Sequence, residues 1–190
     1  MQLPKIPDQL KIYIYPADTC KNLSEKKPDK KRVLADTLIL SLFLNFGLLF
    51  LVPLFNTLLV PNLIIISILL SAFTFLSILA IEYLTCIASK FKQGKGDFFI
   101  QLGITNTALV FAFSIVLLSN ILVSCSFAGE EFVYGVYLLF YIILAYLNYE
   151  KIEAVHKIKS TIPSIIYGIG VAISFGIWNT ILLLLIIGIF

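Results

Sequence analysis

The sequence holds one histidine, one methionine, one tryptophan and three cysteines among 190 residues, and only 13% of it is charged. A single histidine, His156, cannot build the multi-histidine metal sites of membrane hydrolases, so no metal is expected. Cys20, Cys86 and Cys125 show no metal-ligand spacing, and the topology argued below separates Cys20 from Cys125 by a membrane, which excludes a structural disulfide. Charge this sparse excludes an ordinary soluble domain, where about a quarter of residues are charged. No lysine is expected inside an apolar span, which excludes a retinal-type Schiff base.

Catalytic patterns fail in the same way. Glu130-Glu131 has the paired glutamates of CAAX-type intramembrane proteases, but Gly135 stands where their arginine would be. Gly94-Lys95-Gly96 is too short for a phosphate-binding loop and lacks the strand and the Ser/Thr such a loop needs. No nucleophile and base survive together, so the chain is not expected to be an enzyme or to carry a cofactor. The basic loops give no support for nucleic-acid binding beyond what topology explains.

What the sequence has is apolar length. It is 59% hydrophobic, with a mean hydropathy of +0.99. Runs such as 63–70 and 182–189 are apolar on every side, which favours helices over an alternating barrel strand. The expected fold is an all-α integral membrane protein, a bundle of five transmembrane helices at about 37–59, 63–88, 98–123, 132–149 and 162–190. A basic segment, 1–33, precedes them and contains no signal-peptide core.

The placement of positive charge orients that bundle. Eight Lys or Arg precede the first span, three (Lys90, Lys92, Lys95) lie in the second connection and three (Lys151, Lys157, Lys159) in the fourth. The first and third connections have none. All fourteen therefore fall on one side, which predicts a cytoplasmic N-terminus and a C-terminus on the opposite face. The basic face is the cytoplasmic side of the plasma membrane for a prokaryotic chain and of an endomembrane for a eukaryotic one. Its cations are expected to attract anionic lipid headgroups. Ile12-Tyr13-Ile14-Tyr15 is expected at the interface, and the prolines around it argue against a long regular helix.

Glu82 is the one carboxylate well inside a span and must pair, protonate or reach water. Ser67, Ser71, Thr74, Glu82, Thr85 and Ser89 share one face of the second helix, which should turn toward protein. Rise arithmetic puts Asn45 and Asn106 near the depth of Glu82, predicting a polar cluster of Asn45, Glu82 and Asn106. Its roles range from interhelical hydrogen bonding through a proton or ion site to lipid-headgroup contact. Gly168, Ala172, Gly176 and Thr180 form a four-residue ridge for close helix packing, within this chain or against a second copy. Trp178 and Asn179 are expected to pack.

Three segments carry a family resemblance. Tyr15-Pro16-Ala17-Asp18-Thr19-Cys20-Lys21-Asn22-Leu23 precedes a basic stretch and the first span. Gly94-Lys95-Gly96-Asp97-Phe98-Phe99 leads through Gly103 into the third, and Glu153-Ala154-Val155-His156-Lys157-Ile158 precedes the last. In order and spacing, from about Tyr15 onward, the chain resembles the prokaryotic branch of the Yip (Ypt-interacting protein) family. A proline common in that family's third span is replaced near Ala108. The Asp-Leu-Tyr-Gly-Pro motif of eukaryotic members is absent, so Rab GTPase binding is not carried over.

The resemblance implies five spans and a non-enzymatic adaptor or membrane-organising role at the cytoplasmic face. There His156 and Glu153 would dock onto the Gly94–Phe99 turn, and a protein partner or a second copy would bind. Two other functions fit the residues: a small transporter or transporter subunit with its site around Glu82, and a supernumerary subunit of a larger membrane complex.

Overall fold

The computed structural model describes residues 7–49, 60–124 and 130–186, which form seven helices and, among the described residues, no strand. In chain order these are α1 (Asp8–Ile14), α2 (Pro16–Ser24), α3 (Lys30–Leu49), α4 (Val60–Phe91), α5 (Phe98–Ser124), α6 (Glu130–His156) and α7 (Thr161–Ile186). Aspartates open two of the long helices. Asp29 Oδ1 accepts the N–H of Lys31 at 3.0 Å, and Asp97 Oδ1 accepts those of Phe99 and Ile100 at 2.7 and 3.3 Å. Each satisfies first-turn donors that have no partner within the helix.

The helix ends differ from the expected spans for local reasons. The Asp29 cap turns Lys30-Lys31-Arg32 into the first turn of α3, so that helix starts seven residues before 37. Pro61, expected in a connecting turn, falls in the first turn of α4, where a missing N–H is harmless. Glu130 and Glu131, expected in a loop, open α6. That helix runs past 149 to His156, because Leu147, Asn148, Lys151, Ile152, Val155 and His156 repeat at helical spacing and are all buried. The last helix is unbroken at Gly168 and Gly170. Residues 50–59, 125–129 with Cys125, and 187–190, parts of the expected spans and connections, lie outside the described residues.

The five long helices close a ring. α3 packs on α4 and α5, α4 on α7, α7 on α6, and α6 on α5. The polarity of this ring is inverted relative to a water-soluble bundle. Ser67, Ser71, Glu82, Thr85 and Ser89 of α4 are buried, while Ile64, Ile65, Ile68, Leu69 and Leu76 of the same helix are exposed. α7 likewise exposes Ile165, Ile169 and Ile173. Apolar side chains turned outward along helices of this length fit a hydrocarbon solvent.

α1 and α2 form a short hairpin bent at Tyr15 and seated on α5 and α6. Ile12 and Cys20 are fully buried in one cluster with Ile104, Ala108, Leu147 and Val155. Tyr13 donates its hydroxyl proton to the Ala108 carbonyl at 2.7 Å and packs its ring on Phe111, 5.1 Å between centroids. Ile14 and Tyr15 stay exposed at the bend.

Candidate functional site

Glu82 is buried on α4, and its carboxylate is met from two other helices. Lys151 of α6 places Nζ 2.6 Å from Oε1, with the two side chains 4% and 1% exposed. Thr105 of α5 donates its hydroxyl proton to the same oxygen at 2.6 Å and accepts from Lys151 Nζ at 2.8 Å. Gln101, one turn before Thr105, donates to Oε2 and to the Glu82 backbone carbonyl at 2.9 Å. The Lys151 ammonium also stands 4.6 Å over the ring of Tyr167 on α7. The carboxylate thus ties together three helices and Lys151 extends the contact to a fourth, with the charge matched and most of the carboxylate lone pairs used.

The network continues to the turn between α4 and α5. Gln101 Oε1 lies 2.7 Å from His156 Nε2, and the Gly96 N–H donates to His156 Nδ1 at 3.2 Å. With Nδ1 accepting, Nε2 carries the proton and donates to Gln101, so His156 is neutral. Burial, then the charges of Lys151 and Lys90, lower its pKa to about 4, with Glu82 opposing. The turn comes this close only because it lacks side chains. A Cβ on Gly96 would meet Val155 Cγ1 at 2.6 Å and His156 Nδ1 at 2.7 Å, and one on Gly94 would meet His156 Cβ at 2.9 Å. Lys95 adds a backbone bond to the His156 carbonyl at 3.4 Å, with its side chain exposed. Glu153 turns to Lys159, 3.4 Å away.

Asn45, Glu82 and Asn106 are each buried, but with separate partners. Asn106 donates to the Val33 carbonyl at 2.9 Å and accepts from Thr37 at 3.1 Å. Asn45 donates to Thr74 at 3.1 Å and accepts from Trp178 Nε1 at 2.9 Å. The early start of α3 explains the separation. It puts Asn45 about 22 Å along that helix, against about 13 Å and 12 Å from the same end for Glu82 and Asn106.

On α7, Ala172, Gly176 and Thr180 are exposed, and Gly168 is half-buried. A Cβ on Gly176 would meet nothing within 4 Å. The helix packs on α4 through Gly170 instead, whose added Cβ would sit 2.9 Å from Ile81 Cγ1. The Asn179 side chain lies outside what is described.

A cavity of about 510 Å³ lies between α4, α5, α6 and α7. Glu82, Thr105 and Tyr167 line its floor, and Phe73 and Trp178 its far end. Leu138 of α6 and Phe175 of α7 line it while remaining 63% and 45% exposed, so it opens sideways between those helices. Below the floor, a gap of about 10 Å³ is lined by Asn148, Lys151 and Thr105. The buried Asn148 amide has no protein partner there.

These features define an all-helical, membrane-embedded protein. Among the described residues, three helices, Ile64–Phe91, Phe98–Ser119 and Thr161–Trp178, are long and apolar enough to cross a bilayer. No protein-family model, curated protein or solved structure matches the chain.

Sequence reasoning singled out Glu82 but missed Lys151, Gln101 and Thr105. Lys151 falls among the loop cations by charge pattern alone, although the apolar spacing at 147, 152 and 155 runs through it. Gln101 and Thr105 are one helical turn apart, the same signal that exposes the α4 stripe.

Proposed function

We propose that the chain is a five-span membrane protein of Yip type, with a cytoplasmic N-terminus, acting as a non-enzymatic adaptor or membrane organiser through its basic end. One observation carries this reading. The three segments of the resemblance, spread over residues 15–158 of the sequence, meet at one end of the bundle. Gly96 bonds to His156, and Cys20 shares a buried cluster with Val155. The platform so built leaves Lys21, Lys92, Lys95, Lys157 and Lys159 exposed, a surface suited to anionic headgroups or an acidic partner. The lengths of α3 and α6, 20 and 27 residues, each enough to cross a hydrocarbon core, and their places in the ring support counting them as spans beside the three apolar ones.

Single cysteines at Lys95 and Lys159 should then react only from the cytoplasmic side, and one at Ile186 only from the other. Labelling of all three from one side would reject the topology. Photocrosslinkers at Lys92, Lys95 and Lys159 in native membranes should capture the same partner or the same anionic lipid. Unrelated captures at the three sites would reject the platform.

The cavity that ends on Glu82 favours a second reading, a small transporter or transporter subunit. It requires proton- or ion-coupled flux in liposomes that disappears on Glu82→Gln.

A further inference from the structure

We propose that the cavity between α4, α5, α6 and α7 binds a single-chain lipid alcohol. Its hydroxyl would rest on Glu82 and Thr105, with its chain along the apolar walls toward Trp178. This goes beyond the platform role and does not depend on it.

The floor selects the head group. A carboxylate offers about four acceptor positions, and three on Glu82 are taken by Lys151, Thr105 and Gln101. The Thr105 hydroxyl spends its only proton on Glu82 and accepts from Lys151, which leaves it one lone pair. Glu82 and Thr105 therefore present acceptors to the cavity, and Tyr167, the third floor residue, adds one phenol that donates or accepts but carries no charge. A carboxylate or phosphate head would bring only more acceptors and an unmatched negative charge. An ammonium head would bring donors, but also a second buried cation beside Lys151 with no carboxylate left to balance it. A hydroxyl brings one proton and no charge.

The walls and the opening select the tail. About 510 Å³ lies within the range of pockets that enclose small organic ligands. From Glu82 to Phe73 the wall runs roughly 13 Å along α4, which suits one chain. The floor is closed toward the polar end by the Glu82–Lys151 pair, and the opening lies between Leu138 and Phe175. A ligand therefore enters from the bilayer.

The test uses the full chain in lipid nanodiscs with three photoreactive diazirine probes of equal chain length: hexadecanol, hexadecanoic acid and hexadecyltrimethylammonium. The alcohol should label cavity residues roughly tenfold more than either charged probe, the discrimination expected of one hydrogen bond to a charged group. Unlabelled hexadecanol should compete. Ala172→Trp and Leu138→Trp, on exposed positions at the two lips, should each cut the labelling by roughly the same factor. The double variant Glu82→Leu/Lys151→Met should erase the preference for the alcohol while still admitting a chain. Equal labelling by all three probes would overturn the proposal, because any acyl chain would then fill the space. So would alcohol labelling confined to outward positions such as Ile65 and Ile169, or natively eluting lip variants that label undiminished.

Discussion

Lys151 reaches Glu82 across 69 residues of sequence and meets it at 2.6 Å in a site that excludes solvent. A buried pair of this kind is costly to break from one side, because the remaining charge stays in low dielectric. Glu82→Leu or Lys151→Met should each lower stability by about 3–5 kcal/mol. Glu82→Leu/Lys151→Met, which removes both charges together, should recover most of that loss. Thermal unfolding in detergent of the four proteins forms the double-mutant cycle, and equal losses in the single and double variants would contradict it.

The 94–96 turn should be intolerant of side chains in a position-specific way. Gly96→Ala forces a methyl group into Val155 and His156 and should cost about 1–3 kcal/mol. Gly103→Ala is the control, since its Cβ would make an ordinary 3.7 Å contact with Val33 and gain helix propensity. Unfolding midpoints should therefore move in opposite directions.

Acidification should loosen the same end of the bundle. His156 titrates at about 4 in the folded chain, against 6.5 for an ordinary imidazole. The unfolded chain therefore takes up the proton first as pH falls. Stability from the neutral ring is complete above about pH 6.5 and is lost progressively toward pH 4. Protonated Nδ1 would also point a donor at the Gly96 N–H. Stability measured against pH should fall across this window and flatten in His156→Gln. An identical slope in the variant would assign the loss to other groups.

The Cys20 thiol should be inert while the hairpin stays seated. Burial raises its pKa to about 12, with Lys151 lowering it and Glu150 raising it, so almost no thiolate exists at neutral pH. Maleimide should label Cys20 only after the α1–α2 hairpin is released, for instance in Tyr13→Ala, which loses the bond to Ala108. Rapid labelling of the native chain would show that the hairpin detaches on its own.

The apolar helices and the inward polar stripe of α4 were legible in the sequence because each is periodic within one element. The pairing of that stripe was not. Glu82 identified itself as a buried charge, but its partner sat in a stretch whose Lys and Glu content resembles a loop, and only the spacing of 147, 151 and 155 betrays a continuing helix. Asn45 was misaligned in depth for a related reason. The basic run at 30–32 reads as a tail until Asp29 is seen to cap a helix there. The seating of His156 on Gly96 joins two connections 60 residues apart; the family resemblance implies it, but no local pattern encodes it.

Glu82 and Lys151 also impose an order on biogenesis. The ribosome adds about 5–20 residues per second, so the carboxylate leaves it several seconds before its counter-ion is made. During that interval α4 must hold an unmatched acidic group near the membrane, whether protonated or shielded by the insertion machinery. A chain cut short before α6 would never lose that liability. The pair therefore closes only once α6 has been made and has joined the ring.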